Sequence, residues 1–232
     1  MIPGGDIKIF AIVFFLGGLV PSLLWLWFWL KEDEGHPEPK AMLTFIFIMG
    51  IITVFLVLPI QKFIDVHIGD YGTKLVLWAT AEEALKFLAV LLVLSGMHHI
   101  VNEPIDWPIY LITAALGFAT LENTLFLVKP LALSGMTVTL LTGGLRFLGS
   151  TLLHTVASGI IGIGMGIAFF RNGISKLFSV GLGFLVAVAL HSVFNFFIIR
   201  NDGGDFMKVF AFLWAATIIV LLLFEKVRRI SK

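Results

Sequence analysis

Seven stretches of the chain are almost wholly apolar for about the thickness of a bilayer: residues 9–30, 41–60, 75–94, 109–128, 145–170, 177–199 and 206–224. A hydrocarbon core takes about 20 apolar residues per helix, so each stretch predicts one transmembrane helix. Apolar residues occupy every face of these segments rather than one stripe, as expected for helices surrounded by lipid. The connectors are short. The most polar, residues 31–40, reads KEDEGHPEPK, and its charges and prolines keep it out of lipid. The tail, residues 225–232, reads EKVRRISK and faces water. Residues 127–144 fit a loop, a surface helix or the start of an over-long fifth span; a separate helix there would raise seven spans to eight. Trp25, Trp27 and Trp29 close the first span and predict an interfacial aromatic belt. The first stretch exceeds a signal-peptide core and lacks a small-x-small cleavage site, so it predicts a retained span. The pattern gives an all-α polytopic transmembrane bundle, one integral-membrane domain over residues 1–232.

Composition reinforces this. Of 232 residues, 59 % are hydrophobic and 13 % charged, with mean hydropathy +1.02. An ordinary soluble domain has about 45–50 % and 25 %. One packed core cannot hide that surplus, which excludes a soluble enzyme and a disordered chain alike. The net charge of +1 implies no nucleic acid partner. The absence of cysteine excludes disulfides, thiolate zinc sites and cysteine nucleophiles. Six basic residues fall on the N-terminal side of the membrane and eight on the other; the positive-inside rule then puts the N-terminus outside and the C-terminus in the cytoplasm.

The informative residues are the polar ones inside the spans. The third carries Glu82, Glu83 and Lys86, the fourth Glu122 and Asn123, the fifth Arg146 and His154, the sixth His191 and Asn195. Each ionisable group at mid-bilayer costs roughly 2.5–3.5 kcal/mol, so these side chains are expected to face one another. Counting from the span ends at 1.5 Å per residue, the acids, imidazoles and Asn195 lie about 6–14 Å below the same surface. With Glu82 at 0°, Glu83 lies at about 100° and Lys86 at about 40°, so Lys86 can pair with either carboxylate and leave the other free. His191 and Asn195 stack on one face, and Arg146, two turns from His154, can answer Glu122 or the spare glutamate. Gly159, Gly162, Gly164 and Gly166 read as close-packing positions, and the His98–His99 pair as a solvated loop.

Two histidines and a carboxylate make a three-ligand set that leaves a position for water, and a further glutamate can take that water's proton. Ligands without thiolate suit zinc, though not uniquely. A metal-free site also works, with a glutamate as base and histidine and asparagine stabilising an oxyanion. Buried Glu, Lys and His equally serve a proton- or ion-coupled transporter, although no inverted repeat is visible. A non-catalytic scaffold with a structural polar core is the third alternative.

The motifs narrow the choice. Glu82-Glu83-Ala-Leu-Lys86, Phe118-Ala-Thr-Leu-Glu122-Asn123, Arg146 followed by His154, and His191-Ser-Val-Phe-Asn195 lie in order on successive hydrophobic helices. Over residues 75–200 this resembles the PrsW family of intramembrane proteases, relatives of the CAAX-prenyl-protease and bacteriocin-processing superfamily. The resemblance implies an endopeptidase of the prokaryotic plasma membrane, usually classed as a metallopeptidase. It further implies a membrane-anchored protein substrate of the anti-sigma-factor kind. By motif matching, Glu82 or Glu83 would supply the catalytic carboxylate. Glu122, His154 and His191 would hold a divalent metal such as zinc, or the water itself. Asn195 would steady the transition state, with Lys86, Asn123 and Arg146 supporting.

Overall fold

A computed structural model describes residues 5–31, 37–97, 100–200 and 206–230, and every regular element among them is helical. The His98–His99 pair lies outside the described residues. The first span is α1 (Gly5–Val13), a π-helical stretch (Phe14–Leu19) and α2 (Val20–Lys31). Then follow α3 (Lys40–His67), α4 (Tyr71–Leu94), α5 (Asp106–Leu133), α6 (Met136–Leu148), α7 (Ser150–Ile167), α8 (Ile174–Arg200) and α9 (Phe206–Ile230). By length and composition, six helical segments can cross a membrane, with Met136–Ile167 taken as one of them. At 24 residues α4 also has the length to cross, but it carries Glu82, Glu83 and Lys86 near its middle. The fold is therefore a polytopic membrane bundle.

Local chemistry explains the boundaries. Asp70 caps α4, its carboxylate accepting from the Thr73 hydroxyl at 2.6 Å and the Thr73 amide at 2.7 Å. Those bonds, the hydroxyl first, hold the Asp70 carboxyl below its ordinary range. Residues 127–144, ambiguous in the sequence, divide between α5 and the short helix α6. Gly135, with φ 84°, turns the chain between them, and the amides of Ser134 and Gly135 both bond to the Pro130 carbonyl. A second break at Gly149, with φ −112° and ψ −78°, separates α6 from α7. This corrects the placement of Arg146 and His154 on one helix: Arg146 belongs to α6 and His154 to α7.

The aromatic belt also needs correction. Trp27 is 59 % exposed and lies under the Lys31 ammonium, 4.6 Å from the ring centroid. Trp25 and Trp29, one turn apart on the other face, are buried instead. Trp25 packs on Phe147 and Trp214, and Trp29 on Phe224.

At the centre stands α5, buried between α3 and α7. The α3–α5 crossing brings backbone against backbone. A Cβ at Gly50 would lie 2.0 Å from the Ala114 carbonyl oxygen, and one at Gly117 would lie 2.0 Å from that of Phe47. On α7, Gly162 is similarly close to Pro108, as its close-packing reading implies. Gly117→Ala is expected to force α3 and α5 apart and to cost about 1–3 kcal/mol, the usual range for overpacking. A lowered thermal unfolding midpoint in detergent checks this, with Gly144→Ala, where a Cβ meets nothing within 4 Å, as the control.

Candidate active site

Helices α4, α5, α6, α7 and α8 bring their polar residues together, and the three glutamates receive three different environments. Glu83 is fully buried. Its Oε1 accepts from Lys86 Nζ at 2.5 Å and meets His191 Nδ1 at 2.9 Å; its Oε2 accepts from the Ser158 hydroxyl at 2.7 Å. Glu122 is paired with Arg146, and its Oε2 lies 3.1 Å from His154 Nε2 and 3.4 Å from the Ser150 hydroxyl. Arg146 also donates to Asn123 Oδ1 at 2.7 Å, and Asn123 donates to the Thr151 hydroxyl at 2.8 Å. Glu82 pairs with neither lysine nor arginine among the described residues. Its Oε1 accepts from the Gln61 amide at 2.8 Å, and its buried Oε2 has no hydrogen-bond partner.

These partners fix the imidazoles. An ammonium can only donate, so the Lys86 Nζ contact of 3.2 Å makes His154 Nδ1 an acceptor and leaves the ring hydrogen on Nε2, facing Glu122. A carboxylate can only accept, so His191 Nδ1 donates to Glu83, which in a neutral ring puts the lone pair on Nε2. That nitrogen lies 3.6 Å from Glu82 Oε2, and His154 Nδ1 lies 3.9 Å from the same oxygen. The two rings stand nearly perpendicular, centroids 5.0 Å apart. The unpartnered Glu82 Oε2 thus faces His191 Nε2 on one side and, on the other, a His154 Nδ1 that accepts from Lys86. A proton or a cation would resolve such an arrangement. Glu82, His154 and His191 each offer one ligand atom, all within 4.8 Å of one another, and so could hold a metal ion.

Beside this group opens a cavity of about 690 Å³, within the range of small-ligand pockets. Glu82, Glu122, Arg146, His154, His191 and Asn195 are among its polar lining, joined by Gln61, Asp65, Thr142 and Ser150, and apolar side chains of α3, α5, α6, α8 and α9 form its walls. Glu83, Lys86 and Asn123 do not line it; they stand behind and hold those that do. The group that can take a metal contains Glu82, whereas motif matching put Glu122 there; Glu122 lies next to it, bound to Arg146 and His154. Sequence reasoning missed Gln61 and Ser158. Ser158 follows His154 by four residues on one helix face, a spacing that could have revealed it. Gln61 lies one residue beyond the predicted end of the second span, inside the longer α3.

The sequence model of the "PrsW family intramembrane metalloprotease" matches residues 38–224. Protease PrsW of Geobacillus kaustophilus (strain HTA426) is 27 % identical over 205 residues, covering 86 % of this chain and 87 % of its own. Protease PrsW of Bacillus subtilis (strain 168) is 25 % identical over 210 residues, covering 88 % and 91 %. Protease PrsW of Shouchella clausii (strain KSM-K16) is 25 % identical over 220 residues, covering 94 % and 96 %. No solved structure matches the chain. Because the family match takes in every helix that builds the polar cluster, the chain belongs to the PrsW family of intramembrane proteases.

Proposed function

We propose that this integral membrane protein hydrolyses peptide bonds of membrane-anchored proteins with Glu82 at the reacting centre. The observation that carries the reading is the unpartnered Glu82 Oε2, held within 4 Å of two imidazole nitrogens beside the cavity. A buried carboxylate oxygen without a donor is a ready acceptor for the proton of an attacking water. Glu83 acts from behind: by accepting from His191 Nδ1 it keeps the Nε2 lone pair turned toward Glu82. Lys86 orients His154 from the other side by donating to its Nδ1, which leaves the ring hydrogen on Nε2 toward Glu122. The Asn195 amide, on the cavity lining four residues after His191, is the candidate donor to the developing oxyanion. Arg146 fixes Glu122 at the rim.

Glu82, His154 and His191 would hold a divalent ion, and zinc suits imidazole and carboxylate ligands without thiolate. When bound, the ion would acidify water itself with Glu82 as one of its ligands; without it, Glu82 Oε2 is the proton acceptor. The proposed substrate is a membrane-anchored protein of the anti-sigma-factor kind. The proposed setting is a prokaryotic plasma membrane, with the N-terminus outside and the C-terminus in the cytoplasm. Family membership supports the first, and eight basic residues against six support the second.

Metal analysis of the purified protein, paired with a cleavage assay before and after chelation, tests the mechanism. The expected result is bound zinc, loss of cleavage on chelation and recovery on adding zinc back. Cleavage that persists in metal-free protein removes the ion and leaves a glutamate mechanism. Wild-type turnover by a His154→Ala/His191→Ala double variant overturns the site itself.

A further inference from the structure

The polar cluster has a contributor from outside the five helices that carry the motif residues. Gln61 belongs to α3, a helix with no charged residue between Ala41 and Gln61, and it is half-buried on the wall of the cavity. Its Nε2 donates to Glu82 Oε1 at 2.8 Å, the one hydrogen bond that Glu82 receives among the described residues. We propose that Gln61 is a positioning residue for the reaction: it holds Glu82 Oε1 aside so that Oε2 is the oxygen presented to His154 and His191. This inference rests on the reading of Glu82 given above.

Two features support it. The first is the division of labour between the two oxygens. A carboxylate rotates about its last bond, and an orienting donor on one oxygen decides where the other points. Here the oxygen with a donor faces α3, and the oxygen without one faces the imidazoles. The second is the kind of partner. Glu83 is answered by Lys86 and Glu122 by Arg146, both cations, which stabilise an ionised carboxylate and make it a poorer base. Glu82 is answered by an uncharged amide. An amide gives direction without neutralising the charge, which a proton acceptor or a metal ligand needs to keep. Gln61 does this from a helix that has no other bond to the cluster among the described residues, so its role is not explained by holding α4 to α7 or α8.

The test compares Gln61→Met, which keeps the length and apolar bulk but removes the donor, with Gln61→His, whose ring nitrogen reaches the same place and can donate. Losing the hydrogen-bond partner that orients a ligand or base typically changes activity or metal affinity about 10–100-fold. Gln61→Met is expected to lower kcat by about that factor with KM within about twofold, and to weaken zinc binding to the substrate-free protein by about 10-fold. Gln61→His is expected to recover most of both. A Gln61→Met protein with wild-type kcat and zinc affinity overturns the proposal. So does a loss confined to KM, or one that Gln61→His fails to recover, because then shape and not donation matters. Glu82→Gln is measured alongside: if that variant cleaves normally, it is the Glu82 reading that falls.

Discussion

Glu82→Gln is expected to lower kcat by about 10²–10⁴-fold, the usual contribution of a positioned general base. The substitution changes one atom and almost no volume. The amide oxygen can still accept from Gln61 at the position of Oε1. What is lost is the unpartnered oxygen between the imidazoles, replaced by an NH₂ group that can donate to a neutral His191 Nε2 and takes no proton. Since Glu82 bears no ion pair with lysine or arginine among the described residues, its neutralisation strands no buried cation, and the variant is expected to unfold at the wild-type temperature. Cleavage of a membrane-anchored reporter, set against a detergent unfolding curve, checks both halves. Retained turnover would place the chemistry elsewhere.

Lys86→Met is expected to do the reverse and strike stability first. Lys86 and Glu83 are 1 % and 0 % exposed, 2.5 Å apart, on neighbouring turns of α4. The ammonium also donates to His154 Nδ1 and lies 4.8 Å from the centre of the Phe118 ring. Removing one partner of a buried pair leaves the other charge uncompensated and costs about 3–5 kcal/mol. Adding Glu83→Gln to Lys86→Met is expected to recover much of that loss, because the neutral amide needs no cation, its one oxygen can accept from His191 and its NH₂ can donate to the Ser158 hydroxyl. Unfolding midpoints of the two single variants and the double variant form the cycle. If Lys86→Met alone unfolds like wild type, the pair is not stabilising the site, and the division between Glu82 and Glu83 loses its physical basis.

That division shows where sequence reasoning stops. Convergence was legible: a charge in lipid is costly, so Glu82, Glu122, His154 and His191 had to meet, and depth counting put them in one layer. Helical phase also showed that Lys86 sits between two carboxylates. Phase could not say which carboxylate it would take, because 100° of separation on α4 has meaning only once α3, α7 and α8 stand around it. Ser158 and His191 crowd Glu83, while Gln61 is the donor to Glu82, and none of these is adjacent in sequence. Trp25 and Trp29 fail for a related reason. A tryptophan at the end of an apolar stretch suits the headgroup region or a buried aromatic cluster equally well, and the presence of Phe224 and Trp214 on α9 decides it. Residues 127–144 were ambiguous because α6 is short and two corners of the chain, at Gly135 and Gly149, interrupt what hydropathy alone reads as continuous.

The touching backbones of α3 and α5 bear on how a polypeptide gets in. Gly50 lies against the Ala114 backbone and Gly117 against that of Phe47, so that seam cannot part without separating main chain from main chain. The opposite wall is different in kind. It is formed in part by Thr142 and Leu145 of α6, thirteen residues suspended between two glycine corners and fastened across by Arg146 to Glu122. It is held by Arg146 to Glu122 and Asn123 and by the Trp25 indole donating to the Phe147 carbonyl, so an opening on that side would break bonds, one of which ends on the glutamate that touches His154.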